Sequence, residues 1–600
     1  MTPQNRSITR HSRLFESGCF APAIMVLLAG FCLIASTAVR AQNAQDTFKW
    51  PQEKLKAYNT HGLGQDDRPY KLTAAIGLNM THANARQFIR VLPKNYRSAP
   101  LRNLVISALI ARIDGESITQ QDPVPAGKDL LTLRLEALNA MGAYTYAFRL
   151  YAALKSDIAH AQLLKAGIRA QLGLGRYSLA CLEAKAGIES LDTNNTEAIE
   201  ADSSFWRQMH KLCRPVIGQP LLKNSKQKQG EDSQPLVMWE KDSNRPTSWA
   251  ELNGYSMPEM AYIMRNHAGA LTAFDDAPDS LDTRHLAMLT HIAEAPLALK
   301  FEFMRIAASR NLVTSKRWRK FLNNANTRLE TDSTKAERAE LSRPFRHLLK
   351  LSTHDSAAQR GETTPSAISI AQTFAELYGQ VPMSALLAFE SLLNKAPTDR
   401  EPGPRVRNTV LITFLRANRY LQAKDWGIGK TPINDAAQAT KDNHMRTRQY
   451  ELLALFALRD QDFSGIIHKY LKACTNRKAC NLPGYGFLQD FAAFQKRFNL
   501  RLAKSISPDI AYDKEKGLTF RSRYVIPSVS LREDVKEKNL KKGLGKAIFL
   551  GTLALHRENK DKLDPYFTAS VLNKLSNAGI NRFGRDFAIT YLIGTLEKKE

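Results

Sequence analysis

The sequence predicts an all-α fold built from helical hairpins in two or more segments. Apolar residues recur every three or four positions almost throughout the chain, as Phe463, Ile466, Ile467 and Tyr470 do, and this is the spacing of one helical face. No series of short alternating strands interrupts the pattern. The chain has 600 residues, whereas one hydrophobic core supports roughly 250–300, so we expect several domains or a solenoid that grows by stacking.

A short motif recurs within the helical pattern and predicts where hairpins turn. The stretches Gly142–Ala147 (GAYTYA) and Gly175–Ala180 (GRYSLA) both read G-x-Y-x-x-A and lie 33 residues apart. A weaker copy, Asn418–Ala423 (NRYLQA), has asparagine in place of glycine. Glycine and asparagine tolerate the left-handed backbone that ends a helix. We therefore expect the first helix to end at the glycine and the tyrosine to start the second helix, with the small alanine allowing close approach.

This motif resembles the tetratricopeptide repeat (TPR), which has a 34-residue period and a similar glycine–tyrosine–alanine signature. The glycine–tyrosine spacing here is one residue shorter, and the opening tryptophan and closing proline of the family are missing. The resemblance covers two clear hairpins and one faint one. It implies a TPR-like α-solenoid, whose extended concave surface suits the binding of a protein or peptide.

The first residues predict export from the cytoplasm. Three arginines precede the uncharged stretch 21–39, and the small residues Val39 and Ala41 occupy the −3 and −1 positions of a cleavage site. We therefore predict a cleaved signal peptide at 1–41 and a periplasmic protein. The alternative is an uncleaved inner-membrane anchor, because 19 apolar residues are near the lower limit for spanning a bilayer.

Composition suggests further boundaries along the chain. The stretch 214–235 is polar and rich in lysine, glutamine and serine, which is typical of an exposed connector. The predicted segments are the signal peptide 1–41, an N-terminal helical-repeat domain 42–215, a polar linker 216–250, a central helical domain 251–504, and a basic connector with a C-terminal helical hairpin 505–600.

The charge of the chain favours anionic partners. The formal net charge is +27, and loss of the four arginines and one glutamate of the signal peptide lowers it to about +24. Such a charge attracts anionic surfaces and polymers over long range. For an exported protein we expect an acidic protein or peptide, an anionic membrane surface or the cell wall, and no nucleic acid.

One basic run is a candidate contact with an anionic surface. It consists of Lys316, Arg317, Trp318, Arg319 and Lys320. In one interpretation the basic side chains bind phosphate headgroups and the tryptophan lies at the membrane interface. In the other, Trp318 and Phe321 face the core while the charged groups are solvated.

The sequence contains fragments of catalytic motifs, but none is complete. Gly427–Thr431 (GIGKT) lacks the glycine that a phosphate-binding loop requires five residues earlier, where Lys424 stands. His285 and His291 are six residues apart and therefore on different helical faces, which disfavours a shared metal ion. We predict no catalytic, cofactor-binding or metal-binding residues.

The dipeptide Glu390-Ser391 invites comparison with lytic transglycosylases, whose catalytic glutamate sits in a Glu-Ser pair. The glycine-rich segment that follows in that family is missing here. The alternative interpretation is an amphipathic helix with Glu390 in solvent.

The cysteines predict two disulfide bonds. Cys19 and Cys32 leave with the signal peptide, and an even number in an oxidising compartment favours pairing of the others. The remaining cysteines are Cys181, Cys213, Cys474 and Cys480. The first two lie on apolar stripes of successive predicted helices, so we expect them to pair. The last two would close a short loop at a helix end, and His468 lies off that helix's apolar face, which weakens a metal site there.

These features predict a non-catalytic periplasmic scaffold or adaptor. It would bind a protein or peptide of a cell-envelope machine for motility, secretion or wall assembly. The alternative is a protein that binds peptidoglycan or acts on it like a lytic transglycosylase.

Overall fold

The computed structural model of the protein describes residues 52–190, 203–218, 246–330, 341–393, 402–426, 540–557 and 572–597, with short gaps inside some of these ranges. The described chain is mostly helical, with 18 α-helices and four strands of two residues each. This confirms the predicted all-α class. The predicted signal peptide 1–41, most of the linker 216–250, and the pair Cys474 and Cys480 lie outside the described residues.

The described helices fall into N-terminal, central and C-terminal groups along the chain. The N-terminal ones are α1 (Gln52–Thr60), α2 (His82–Val91), α3 (Ala99–Ile110), α4 (Leu130–Ala140), α5 (Tyr144–Ala152), α6 (Ala161–Gly173), α7 (Tyr177–Ser190) and α8 (Ser203–Ile217). The central ones are α9 (Met257–Asn266), α10 (Thr283–Leu289), α11 (Leu297–Ser309), α12 (Ser315–Leu329), α13 (Arg343–Gln359), α14 (Ala367–Leu377), α15 (Met383–Leu386) and α16 (Pro404–Arg416). The last ones are α17 (Leu540–Arg557) and α18 (Asn581–Glu597). A 3₁₀ segment, Leu387–Leu393, follows α15 directly.

Two small parallel pairings lie near the N-terminus, where the sequence predicts none. Strand β1 (Ala75–Ile76) pairs with β3 (Arg112–Ile113), and β2 (Met80–Thr81) pairs with β4 (Ile118–Thr119). A strand of two residues is too short to show an alternating pattern, so the sequence carries no signal for it.

The two glycine–tyrosine motifs form turns of the predicted kind. Gly142 and Gly175 have φ angles of +65° and +69°, and the helices that follow begin at Tyr144 and Tyr177. The alanine of each motif is fully buried. The structure therefore contains antiparallel hairpins α4–α5 and α6–α7 with the turns that the motif predicts, whereas a repeating solenoid remains a prediction.

Tyr144 contacts both the neighbouring hairpin and a central helix. Its ring lies directly on the backbone of Gly173, where a Cβ atom would come within 2.4 Å of the ring. Its hydroxyl group donates a hydrogen bond of 2.7 Å to the carbonyl oxygen of Arg284 in α10. The tyrosine therefore ties the N-terminal hairpins to the central helices.

The described elements share one hydrophobic core. Helices α17 and α18 pack against α3, and α18 also contacts α16. The Tyr70 hydroxyl group donates to Asp586 at 3.2 Å, and the Tyr70 ring meets Phe583 edge-on. Helices α17 and α18 thus lie against the N-terminal part of the fold, and the predicted C-terminal hairpin and domain boundaries remain predictions.

A disulfide bond joins Cys181 of α7 to Cys213 of α8. Both cysteines are fully buried, and their Cα atoms are 5.2 Å apart. This is the pairing that the apolar stripes of the two helices predict.

Candidate functional site

A basic cleft lies between α12 and the 3₁₀ segment Leu387–Leu393. Its volume is about 540 Å³. It is lined by Ser315, Lys316, Arg319, Lys320, Asn323, Asn324, Leu387 and Glu390. The cleft therefore brings together two features that the sequence singles out separately, the basic run and the Glu-Ser dipeptide.

Helix α12 forms one wall of the cleft because its apolar face packs on the core. The Thr314 hydroxyl group caps the helix by accepting a hydrogen bond from the backbone N–H of Arg317 at 3.3 Å. The buried face consists of Trp318, Phe321, Leu322, Ala325 and Leu329, at the spacing of an amphipathic helix. The opposite face carries the polar residues to the cleft.

The structure corrects the prediction for Trp318. The side chain is fully buried, its Nε1–H donates to the Ser384 hydroxyl oxygen at 3.1 Å, and its ring contacts Phe301. An indole held in this way cannot lie at a membrane interface, so its place in the predicted surface contact is wrong. The alternative interpretation, in which Trp318 and Phe321 face the core, agrees with the structure.

The two arginines of the run are half-buried and bind neighbouring backbone. Arg317 donates to the carbonyl oxygen of Thr290 at 2.8 Å, and burial lowers the pKa of its guanidinium to about 10. Arg319 donates to the carbonyl oxygen of Ala388 and lies 3.2 Å from a carboxylate oxygen of the buried Asp355. Both guanidinium groups thus hold α12 against its neighbours.

Lys316 and Lys320 are exposed and lie one helical turn apart on the cleft side of α12. Within the part of the chain that the structure describes, neither lysine makes a hydrogen bond or an ion pair. Their ammonium groups supply positive charge at the cleft that no ion pair with a described residue neutralises.

Glu390 supplies a carboxylate to the same cleft. Its side chain is 18 % exposed, and its Oε1 atom lies 3.6 Å from a guanidinium nitrogen of Arg419. The adjacent Ser391 donates a hydrogen bond of 3.2 Å to Asp355. Glu390 is therefore not in open solvent, which one interpretation of the sequence expects. Ser391 forms its hydrogen bond with Asp355 and not with Glu390.

A fully buried cluster, which the sequence did not reveal, lies at the starts of α4 and α6. The His160 Nε2 atom lies 3.0 Å from Asp129 Oδ2, and the hydroxyl group of Thr132 donates to the same oxygen at 2.8 Å. The Nδ1 atom of His160 accepts the backbone N–H of Leu163 at 3.1 Å, so the ring proton lies on Nε2. Burial raises the pKa of Asp129, but the hydrogen bonds from His160 and Thr132 outweigh it and lower that pKa below its usual value.

This cluster is a pair of linked helix caps and not a catalytic triad. In a triad, the acid and the nucleophile bond to different nitrogens of the imidazole ring. Here Asp129 and Thr132 both approach Nε2, with the threonine oxygen at 3.4 Å. Asp129 and His160 cap α4 and α6. An aspartate before a helix is a recognisable capping signal, but nothing local to it indicates the histidine 31 residues later.

The two histidines near α10 lie in different settings. His285 is fully buried within α10, and its Nδ1 atom lies 3.1 Å from the carboxylate of Asp282. His291 follows the end of the helix, and burial together with nearby Arg317 lowers its pKa well below the usual value. Across the described ranges, no group of three or more histidine, cysteine or acidic side chains is arranged to hold a metal ion.

Comparisons with protein-family models, with curated proteins and with solved structures found no match for this chain. Among the described helices, none combines the length and the apolar character needed to cross a membrane.

Proposed function

We propose that this chain is an exported, non-catalytic helical scaffold that binds an acidic protein or peptide of the cell envelope. The observation that carries the proposal is the pair Lys316 and Lys320, exposed at a cleft and without an ionic partner among the described residues. Ammonium groups one turn apart suit two carboxylates of an acidic segment. The high positive charge of the whole chain would speed the encounter.

The fixed arginines support this use of the cleft. Because Arg317 and Arg319 hold α12 through backbone carbonyl groups, the lysines are presented on a rigid wall. A preformed wall lowers the entropy cost of binding. The TPR-like hairpins would extend the surface available to a protein partner, which is the usual role of helical-repeat scaffolds.

The binding test uses a fluorescein-labelled peptide of ten glutamates and the mature chain, followed by fluorescence polarisation. We expect the double variant K316E/K320E to weaken binding at least tenfold, which corresponds to about 1.4 kcal/mol. The matched control is K94E/K128E, which makes the same change in net charge at two exposed lysines outside the cleft. Equal weakening by both double variants, or no binding by the wild-type chain, would refute the role of the cleft.

A cell-wall function is the second candidate, because Glu390 faces the same cleft as the lysines. Its carboxylate could accept hydrogen bonds from glycan hydroxyl groups while the lysines bind peptide-stem carboxylates. Incubation with murein sacculi tests it in two ways. Co-sedimentation that K316E/K320E abolishes would support wall binding, and release of soluble fragments that E390Q abolishes would support glycan cleavage. Absence of both results leaves the acidic-partner proposal as the only candidate.

Export is tested directly by cell fractionation and by the mass of the purified protein. A cleaved signal peptide gives a periplasmic chain that begins at Gln42. A chain of full mass in the membrane fraction would instead indicate the uncleaved anchor.

A further inference from the structure

A second surface, on helix α7, exposes apolar side chains. Leu179 and Leu182 are 52 % and 55 % exposed, and in the described ranges Val91 is the one other large hydrophobic residue of comparable exposure. Ala186, also exposed, continues the same stripe at a spacing of four residues. Steps of three and four place these residues on one face of the helix. Clustered exposed leucines mark a contact surface more often than isolated ones do.

The opposite face of α7 is buried against the rest of the fold. Ala180, Cys181 and Ala184 are completely buried, and the disulfide bond fixes the helix to α8. Gly187 packs on Leu164 so closely that a Cβ atom would come within 2.5 Å of that side chain. The leucine stripe is therefore a rigid, preformed face and cannot rotate into the core.

A cleft of about 380 Å³ opens at the N-terminal end of the stripe. Leu179, Tyr177 and Met264 supply its apolar wall, and Arg176 and Arg265 stand at its rim. The Arg176 guanidinium lies 4.8 Å from the centre of the Phe148 ring, which holds it in place. Both arginines are exposed, and neither is ion-paired with a described residue.

We propose that this face binds an amphipathic α-helix with apolar anchors and acidic flanks. Helical spacing of the exposed residues matches the side-chain spacing of a second helix laid along α7, and the small Ala186 allows close approach. One anchor would enter the cleft beside Tyr177 and Met264. Carboxylates next to the anchor would pair with the two rim arginines, so charge complementarity selects an acidic partner over a basic one. This contact goes beyond the α12 cleft and does not depend on it.

The test uses a fluorescein-labelled peptide of three heptads, with leucine at positions a and d, glutamate at e and g, and alanine elsewhere. Repulsion between the glutamates keeps the peptide from pairing with itself. We expect it to bind the mature chain, and expect L179S/L182S to weaken binding at least tenfold. V91S is the matched control, since it removes an equally exposed apolar side chain elsewhere. Equal effects of the two changes, or no binding by the wild-type chain, would overturn the proposal.

The charge of the partner is tested separately. A peptide with lysine in place of glutamate should bind at least tenfold more weakly, and R176E/R265E should reverse that preference.

Binding that K316E/K320E weakens as much as L179S/L182S does would assign the peptide to the α12 cleft and overturn the proposal. Sedimentation equilibrium adds one further outcome, because a dimer that L179S/L182S dissociates would assign the face to a second copy of this chain.

Discussion

The buried histidine at the start of α2 makes the stability of the fold depend on pH. His82 is 4 % exposed, and its Nε2 atom has no hydrogen-bond partner within the described protein. Burial, with the nearby guanidinium of Arg86, lowers the pKa of His82 from its usual 6.5 to about 4, against a weaker opposing effect of Asp129. Between pH 4 and pH 6.5 this imidazole is therefore neutral in the folded chain and protonated in the unfolded chain.

The sign and size of the effect follow from proton linkage. Between pH 6.5 and pH 4 the unfolded chain carries a proton on His82 that the folded chain lacks, so stability falls as the pH falls. Each pH unit in this interval is worth about 1.36 kcal/mol. The contribution of His82 is complete above pH 6.5, and at pH 4.5 at most about 2.5 kcal/mol of it is lost.

The assay compares urea unfolding of the wild-type chain and His82→Gln at pH 7 and pH 4.5. We expect the wild-type chain to lose about 2.5 kcal/mol more than the variant between the two pH values. The lowered pKa values of His61, His291 and His354 act in both proteins and cancel in the comparison. Equal losses in the two proteins would refute the reasoning. An NMR titration of the His82 ring gives an independent measurement, and an ordinary pKa near 6.5 would contradict it directly.

Two further predictions concern packing and cross-linking. Replacing both Cys181 and Cys213 by alanine should lower the free energy of unfolding by about 3.7 kcal/mol, because the bond closes a loop of roughly 33 residues; an unchanged urea midpoint would contradict this. Gly173→Ala should destabilise by about 1–3 kcal/mol, because the new methyl group meets the buried ring of Tyr144 at 2.4 Å. Gly594→Ala, in open space within α18, is its control and should stabilise by about 0.5–1 kcal/mol; thermal unfolding of both variants measures the contrast.

Features with a local cause were predictable from the sequence. Each glycine–tyrosine turn needs one residue at positive φ and a helix start directly after it, and both requirements fall within six residues of sequence. The Cys181–Cys213 bond was predictable for a related reason, since the two residues occupy apolar stripes of successive helices. These features depend on a single turn or on two helices that follow each other in the described chain.

Features that join elements not adjacent in the chain were not predictable. Asp129 precedes α4 and His160 precedes α6, with α5 between them, and the contact of Asp586 with Tyr70 spans most of the chain. No periodicity within one helix indicates which other helix it will meet. The α12 cleft is of this kind as well, because Glu390 approaches the basic run only through the packing of the 3₁₀ segment against α12.

Positions around helix α12 separate the lysines of the basic run from its arginines. At about 100° per residue, Lys316 and Lys320 both lie about 160° from Trp318, whereas Arg317 and Arg319 lie about 100° to either side. A buried Trp318 therefore places the arginines at the edges of the buried face and the lysines in the open. The chemistry agrees with this order, since planar guanidinium groups suit fixed carbonyl groups at the edges and hydrated ammonium groups suit solvent. Because Trp318 is buried, the arginines of the run anchor α12 and its lysines are available for binding. This division makes the cleft a candidate site for an acidic partner.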